Sequence, residues 1–234
     1  MSFSFDPIGM VHSPYKEKFG IPRQPGLVCE ARSRLELLAP YNLPQTVEGL
    51  AGYSHIWIQF VFHQAMEEGW RPRVRPPRLG GNQRVGLFAS RSPFRPNPIG
   101  LSVVKLESID TSNGVSLMLS GGDLLDGTPV LDIKPYVAYV DSIADATSGF
   151  APTPPEKRFE VFFSPLSEEQ IAARQDQQLR PFIRNLLEMD PRPAYSSGQE
   201  GRVYGIRLYD FDLRWRVVGD RLEVLELAEV ISST

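Results

Sequence analysis

The 25 residues from Arg71 to Arg95 contain seven arginines and no lysine, aspartate or glutamate. Guanidinium groups bind phosphate in a bidentate manner, and the prolines between them restrict the backbone and hold the side chains apart. The segment carries +7 while the whole chain carries −3, so the rest of the chain carries −10. We predict that this arginine-rich segment (71–95) binds RNA or another polyanion, and the alternative is a solvated or partner-facing loop. The arginines assigned to RNA are Arg71, Arg73, Arg75, Arg78, Arg84 and Arg95.

The segment runs into a stiff loop, residues 91–100, with the sequence RSPFRPNPIG. Its three prolines restrict the backbone, and Asn97 supplies an amide that can hydrogen-bond the edge of an adenine. The residues support two interpretations equally, a loop that holds a substrate and a rigid connection between two strands.

Three shorter features have residue types that suit a ligand site. The first interpretation of residues 126–129 (DGTP) and 22–26 (PRQPG) is a rigid turn. The second is a ligand contact, because the backbone groups of a turn are exposed. His63 and Gln64 directly follow an apolar strand, where a histidine is more often a surface or core residue than a catalyst. The single cysteine, Cys29, has no activating partner nearby in sequence, which makes a nucleophilic thiol improbable.

The composition excludes several classes of protein. Hydrophobic residues make up 41% and charged residues 23% of the 234 residues, as in ordinary globular domains. No apolar run reaches the ~18 residues of a membrane span, and the first residues do not resemble a secretory signal. The sequence has no zinc spacing, no Walker or Rossmann glycine motif, no GxSxG and no HExxH. We expect a cytoplasmic protein without a metal.

Strand-like sequences dominate the first 135 residues. They are rich in β-branched and aromatic residues and are separated by Gly, Asn, Asp or Pro turns. Because no helical pattern alternates with them, they favour an all-β barrel or sandwich over a parallel α/β sheet. The predicted strands are Tyr53–Phe62, Val85–Ala89, Ile99–Ile109, Val115–Leu119 and Val130–Ile133.

A proline-containing stretch, residues 144–156, is interpreted as a linker between a first domain, 1–152, and a second, 153–234. After a short strand, Ser167 and Gln170 fit a capping box that begins a helix. Apolar residues then recur at three- and four-residue spacing up to Leu187, which predicts one buried helix face. Pro181 predicts a kink or a break into two helices.

The last part of the chain is typical of antiparallel strands, Val203–Leu208 and Phe211–Val217, followed by a turn at Gly219-Asp220. With the helix they predict a small α+β domain. Arg214 and Arg216 would face outward on the second strand, either as a solvated face or as an extension of the RNA surface. The stiff loop 190–195 (DPRPAY) adds Arg192 to the predicted RNA surface, and Tyr195 as a residue that stacks on a base or polarises a nucleophile.

Ten motifs occur together in a specific order and spacing, although each is weak alone. They are residues 13–18 (SPYKEK), 22–26, 55–57 (HIW), 62–64 (FHQ), 71–81, 91–100, 126–129, 132–136 (DIKPY), 190–195 and 210–215. In this combination the chain resembles the bacterial tRNA N6-threonylcarbamoyladenosine methyltransferase family, in the long form that has a C-terminal domain. The resemblance extends from about residue 5 to about residue 227.

The resemblance implies a single-sheet β-barrel that binds S-adenosylmethionine without a Rossmann fold, followed by an α+β domain that assists tRNA binding. It also implies a homodimer with the cofactor near the subunit interface. The implied reaction is methylation of N6 of threonylcarbamoyladenosine at position 37 of threonine tRNA. Carried onto this chain, the cofactor contacts are Pro25, Gly26, Leu27, His63, Gln64, Arg91, Leu101, Asp126, Gly127, Thr128 and Pro129.

For this reaction we expect Asn97 and Tyr195 to orient the base or accept its proton, and Arg95 or Arg23 to bind the threonyl carboxylate. A competing interpretation is a non-catalytic RNA-binding module, which would keep the arginine-rich segment but need no small-molecule cavity. A hydrolase would require a nucleophile–base pair or a metal cluster, and the sequence shows neither.

Overall fold

The computed structural model describes residues 3–192 and 201–230. The strands of the N-terminal part are β1 (Gly9–His12), β2 (Arg32–Leu37), β3 (His55–Val61), β4 (Arg73–Val74), β5 (Val85–Gly86), β6 (Ile99–Asp110), β7 (Ser116–Ser120) and β8 (Thr128–Pro135). Further along are α1 (Ala138–Asp141), β9 (Glu160–Phe163), α2 (Pro165–Ala173), α3 (Leu179–Glu188), β10 (Val203–Leu208), β11 (Phe211–Val218) and β12 (Arg221–Glu229).

Six strands close into an antiparallel barrel in the order β1-β2-β7-β6-β3-β8. Along β3, Ile56, Ile58 and Phe60 are buried while the residues between them are half-buried, so alternate side chains fill the barrel interior. The β3–β8 ladder shifts register between Gln59 and Phe60, a bulge of the kind that bends a sheet toward closure. The predicted single-sheet barrel is confirmed.

Two of the six barrel strands, β1 and β2, are missing from the sequence prediction, because neither GMVH nor RSRLEL has the run of β-branched and aromatic residues on which the other strands were predicted. The strand predicted over Val85–Ala89 is wrong beyond Gly86. Leu87–Ala89 forms a 3₁₀ turn in which the Ser90 N–H donates to the Leu87 carbonyl at 3.0 Å. The remaining pair, Val85 and Gly86, forms a two-stranded ribbon with β4 outside the barrel.

The C-terminal part is a four-stranded sheet in the order β10-β11-β12-β9, with β9 parallel to β12. Helix α3 contributes Phe182, Ile183 and Leu187 to a core that also contains the fully buried Trp215 of β11. Strict alternation along β11 places its apolar residues on this core face. This is the small α+β domain that the sequence predicts.

The helical region divides as predicted, but its caps differ from the prediction. The N-cap of α2 is Ser164, not Ser167, and its Oγ accepts a hydrogen bond from the Ser167 N–H at 3.1 Å. Pro165 fits the first turn of α2, and Pro181 lies in the first turn of α3, where backbone N–H groups have no helical partner. The break between the helices therefore comes before Pro181.

Residues 13–31, which we call the joining segment, connect β1 to β2 but pack into the C-terminal core. Tyr15 and Val28 are buried in that core. The Phe19 ring stacks on Trp215 with centroids 6.3 Å apart, and the Tyr209 N–H donates to the Pro14 carbonyl at 2.9 Å. The stretch from 142 to 159 therefore separates the two sheets along the chain, and each sheet has its own hydrophobic core, with the joining segment packed into the C-terminal one.

Candidate functional site

A cavity of about 550 Å³ opens beside the barrel where β3 ends and β6 begins. Its wall combines the joining segment, the 3₁₀ turn after β3, the end of the arginine-rich segment, the start of β6 and the loop before β8. The lining residues come from 18–24, 57–68, 90–95, 99–102 and 123–128. Five stretches that are distant in sequence therefore meet at one concave site, with a volume in the range of small-molecule sites.

The apolar side of the cavity depends on a close approach between Phe60 and Gly100. A Cβ on Gly100 would lie 2.2 Å from the Phe60 ring, so only glycine fits beneath it. The Phe60 and Phe62 rings pack edge to face with centroids 5.0 Å apart. The glycine at the end of the stiff loop thus positions an aromatic wall.

The 3₁₀ turn that begins at His63 is tied to the joining segment and to the arginine-rich segment. Lys18 Nζ donates to the Gln64 carbonyl at 3.0 Å and pairs with Glu68 Oε1 at 3.1 Å. Arg71 pairs with the other oxygen of Glu68 at 3.1 Å. These contacts tie the turn that carries His63 and Gln64 to its neighbours at the cavity, and the cofactor role of both residues stays a prediction.

Asp123 lies at the cavity and is absent from the sequence prediction. Its Oδ1 accepts a hydrogen bond from Ser102 Oγ at 2.7 Å. Burial raises the pKa of the Asp123 carboxyl, while the Ser102 hydrogen bond and the charge of Arg91 act in the opposite direction. Arg91 is itself held by Gln24, whose Oε1 accepts from its Nη1 at 2.6 Å. The only signal in the sequence is a polar residue just after an apolar strand.

The structure brings part of the predicted cofactor set to the cavity wall. Asp126 lies beside the cavity, where its carboxylate accepts from the Ser13 N–H at 2.8 Å and pairs with Lys16 at 2.8 Å. Gly26 packs against Gly121, to whose carbonyl its N–H donates at 2.8 Å. The predicted residues at the wall are His63, Gln64, Arg91, Leu101 and Thr128, and those outside it are Pro25, Gly26, Leu27, Asp126, Gly127 and Pro129.

Of the two predicted catalytic residues, Asn97 lies near the cavity but not on its wall, and the structure does not describe Tyr195. Asn97 is exposed in the stiff loop, and its backbone carbonyl accepts from the Ile99 N–H at 2.7 Å. Its neighbours Arg95 and Ile99 line the cavity, although Asn97 does not. Tyr195 lies outside the described residues. Both roles stay predictions.

Arginines of the arginine-rich segment surround the site. The guanidinium of Arg71 lies 3.8 Å from the centroid of the Phe94 ring, and Phe94 lines the cavity. Arg95 also lines it, donates to the Ser90 carbonyl at 2.9 Å and lies over the Phe88 ring. The exposed members are Arg71, Arg73, Arg75, Arg78, Arg84 and Arg91, and Arg78 hydrogen-bonds Thr153.

The C-terminal arginines are in a different situation. Arg192 is 7% exposed, and its Nε donates to Asp190 at 2.7 Å, so we remove it from the proposed RNA surface as a correction. Arg214 and Arg216 are exposed on β11 but pair with glutamates of β12 at 2.8 and 2.7 Å. Their charge is therefore largely balanced within the sheet.

Arg23 is the second arginine predicted to bind the threonyl carboxylate, and it lines the cavity. Burial lowers the pKa of its guanidinium, and the nearby Arg158 acts in the same direction while Asp190 opposes it. A partly desolvated arginine of this kind suits a carboxylate ligand.

Within residues 3–192 and 201–230, no group of three or more His, Cys, Asp or Glu side chains is placed to hold a metal ion. None of the helices in these ranges combines the length and apolar character needed to cross a bilayer.

Comparison with known proteins identifies the family. Residues 10–142 match the family model described as tRNA-methyltransferase O N-terminal domain, and residues 156–230 match the TrmO C-terminal domain. The chain is 52% identical over 230 residues to the tRNA (adenine(37)-N6)-methyltransferase of Escherichia coli strain K12, covering 97% of this chain and 98% of that protein. It is 49% identical over 233 residues to a putative S-adenosylmethionine-dependent methyltransferase, RcsF, of Pseudomonas aeruginosa PAO1, covering 97% and 99%.

The fold agrees with that assignment. The crystal structure of TrmO from Pseudomonas aeruginosa superposes with a TM-score of 0.82 at 42% identity, covering 97% of this chain and 99% of that one. The chain therefore belongs to the tRNA-methyltransferase O family of S-adenosylmethionine-dependent tRNA methyltransferases, and the resemblance that its motifs show is confirmed.

Proposed function

We propose that this protein transfers the methyl group of S-adenosylmethionine to N6 of threonylcarbamoyladenosine at position 37 of threonine tRNA in the cytoplasm. The observation that carries the proposal is the cavity, where His63 and Gln64 of one motif meet Arg91 of another at the end of the arginine-rich segment. A non-catalytic RNA-binding module has no need for this enclosed site.

The residues of the cavity fit S-adenosylmethionine. Phe60 and Leu101 give an apolar wall, while Arg91 and Asp123 add charged groups, as a ligand with an adenine and a charged amino-acid end requires. When bound, the cofactor supplies an electrophilic methyl group on a sulfonium. The chain's contribution is to hold the acceptor nitrogen in line with that methyl, since positioning of two reactants supplies much of the rate.

The tRNA part of the proposal rests on charge. The acceptor N6 lies between a purine and a carbamoyl carbonyl, which makes its proton easy to lose, so a strong general base is not obligatory. Arg23 and Arg95 both line the cavity, and either suits the threonyl carboxylate. The exposed arginines around Arg73 and Arg75 suit the phosphates of the anticodon stem-loop.

We also propose a homodimer with the cofactor near its interface. Tyr139, Val140 and Ile143 follow the barrel and are 90%, 58% and 66% exposed, an apolar cluster of the kind that a second subunit covers. Sedimentation velocity of the protein and of an Ile143→Asp variant tests this, since the variant should be monomeric if the cluster forms the interface.

The reaction is tested with labelled S-adenosylmethionine and bulk tRNA from cells that lack this protein. Parallel tRNA comes from cells that also cannot make the threonylcarbamoyl modification. Label in the first tRNA alone supports the proposed substrate. Label in both retains the methyltransferase and rejects the modified adenosine, and label in neither, with folded protein, rejects the proposed reaction.

A further inference from the structure

Asp123 presents a carboxylate to the cavity that makes no direct ion pair within the described part of the chain. Its carboxylate lines the wall, and the side-chain hydrogen bond it accepts comes from Ser102 at 2.7 Å. No ion pair to Asp123 is formed by any residue in 3–192 or 201–230. A shielded carboxylate with no cation bonded to it is costly, and a cationic ligand group that contacts it would relieve that cost.

Arg91 provides the opposite charge at the same wall. It lines the cavity, its Nη1 is fixed by Gln24 at 2.6 Å, and its charge acts on Asp123. An arginine and an aspartate on one wall, each held by its own neutral partner, complement a ligand that has a carboxylate and an ammonium on one carbon. The amino-acid end of S-adenosylmethionine has both groups.

We infer that Asp123 binds the α-ammonium group of S-adenosylmethionine, with Arg91 on the α-carboxylate. Ser102 acts as a positioning residue, because its hydroxyl fixes the orientation of the Asp123 carboxylate from β6. The inference rests on the cofactor part of the proposed function and not on the identity of the tRNA.

The test compares two ligands by isothermal titration calorimetry on the full-length protein. S-adenosylhomocysteine has the amino-acid end, and 5′-methylthioadenosine has the same adenosine without it. In Asp123→Asn the dissociation constant of S-adenosylhomocysteine should rise about 10- to 100-fold, the effect of losing a charge-assisted hydrogen bond. Affinity for 5′-methylthioadenosine should be unchanged.

Asp132→Asn is the matched control. Asp132 is on β8 and pairs with Lys134 at 2.9 Å, and it does not line the cavity. Its replacement removes the same charge and should leave both affinities unchanged. Ser102→Ala should give a smaller loss for S-adenosylhomocysteine alone, which keeps the inference testable if Asp123→Asn fails to fold.

The inference is overturned if Asp123→Asn binds S-adenosylhomocysteine as tightly as the wild type, or if it loses both ligands equally. Retained binding with lost methyl transfer and a displaced pH profile would instead make Asp123 a proton acceptor, and would also overturn it. Wild-type protein that binds neither ligand would refute the proposed function itself, so the two failures are distinguishable.

Discussion

The contact between Gly100 and Phe60 predicts a specific cost for adding one methyl group. In Gly100→Ala the new Cβ would lie 2.2, 2.5 and 2.7 Å from three atoms of the Phe60 ring, distances at which something must move. Phe60 is 5% exposed and is enclosed by the barrel, so it has little room to retreat. The displaced ring would move toward the cavity that it lines.

The magnitude follows from two opposing effects. Overpacking of a core costs about 1–3 kcal/mol, while replacing glycine by alanine at an ordinary backbone conformation stabilises by about 0.4–1 kcal/mol through the unfolded chain. Gly100 does not have a positive φ, so the second effect applies in full. We expect Gly100→Ala to lower the free energy of unfolding by about 0.5–2 kcal/mol and to weaken S-adenosylhomocysteine binding.

Urea denaturation at 25 °C and calorimetric titration measure these two quantities. Gly52→Ala is the control, because a Cβ there meets no heavy atom within 4 Å and the variant should be as stable as the wild type or slightly more so. Phe60→Leu combined with Gly100→Ala should recover part of the loss, which shows coupling between the two positions. Full stability and unchanged binding in Gly100→Ala would refute the close approach.

Three further predictions concern charge and packing. Arg73→Gln and Arg75→Gln should each weaken tRNA binding and lower the slope of log K against log salt by about 0.7–0.9, measured by filter binding at several salt concentrations; unchanged slopes would exclude these arginines from the RNA surface. Because burial raises the pKa of Asp123, lowering the pH from about 8 should weaken the binding of S-adenosylhomocysteine at a higher pH than an ordinary aspartate would, while calorimetry should show unchanged binding of 5′-methylthioadenosine. The pH-dependent loss of S-adenosylhomocysteine binding should be absent in Asp123→Asn. This variant is needed because other ionisable groups also face the site, namely Tyr15 near Asp123 and, on the wall, Lys18, Arg23, His63, Glu68, Arg91 and Arg95. Phe19→Ala and Ile171→Ala should each lower the free energy of unfolding by a comparable amount, about 2–4 kcal/mol. Only Phe19→Ala should also weaken the binding of S-adenosylhomocysteine, and equal effects of both variants on binding would contradict the role of the joining segment.

The long elements could be predicted from the sequence because their periodicity is strong. β3 and β6 alternate clearly, and α3 repeats apolar residues at helical spacing, so each element shows its buried face. β1 and β2 gave no such signal, because GMVH and RSRLEL lack the run of β-branched and aromatic residues that marks the other strands. Their pairing depends on β7 and β8, which are distant in sequence.

The sequence predicted several residues of the cavity from their motifs, but not the full set of residues that form its wall. His63, Gln64 and Arg91 stand out because their loops are polar, proline-rich or follow an apolar strand. Asp123 could not be identified in this way, since its importance comes from burial and from Ser102, 21 residues earlier. The prediction that Arg192 lies on the RNA surface failed for the same reason, because the sequence of a stiff arginine-bearing loop does not show that the guanidinium turns inward to Asp190.

No described residue of the C-terminal domain lies on the cavity wall, but the joining segment connects the core of that domain to that wall. Tyr15, Phe19 and Val28 pack into the C-terminal core, while Lys18 and Arg23 of the same segment line the cavity. Because apolar and cavity-lining residues are interleaved within a few positions, the wall cannot hold its place unless the core beneath it is formed. The C-terminal core therefore supports the position of the cavity wall through its packing with the joining segment.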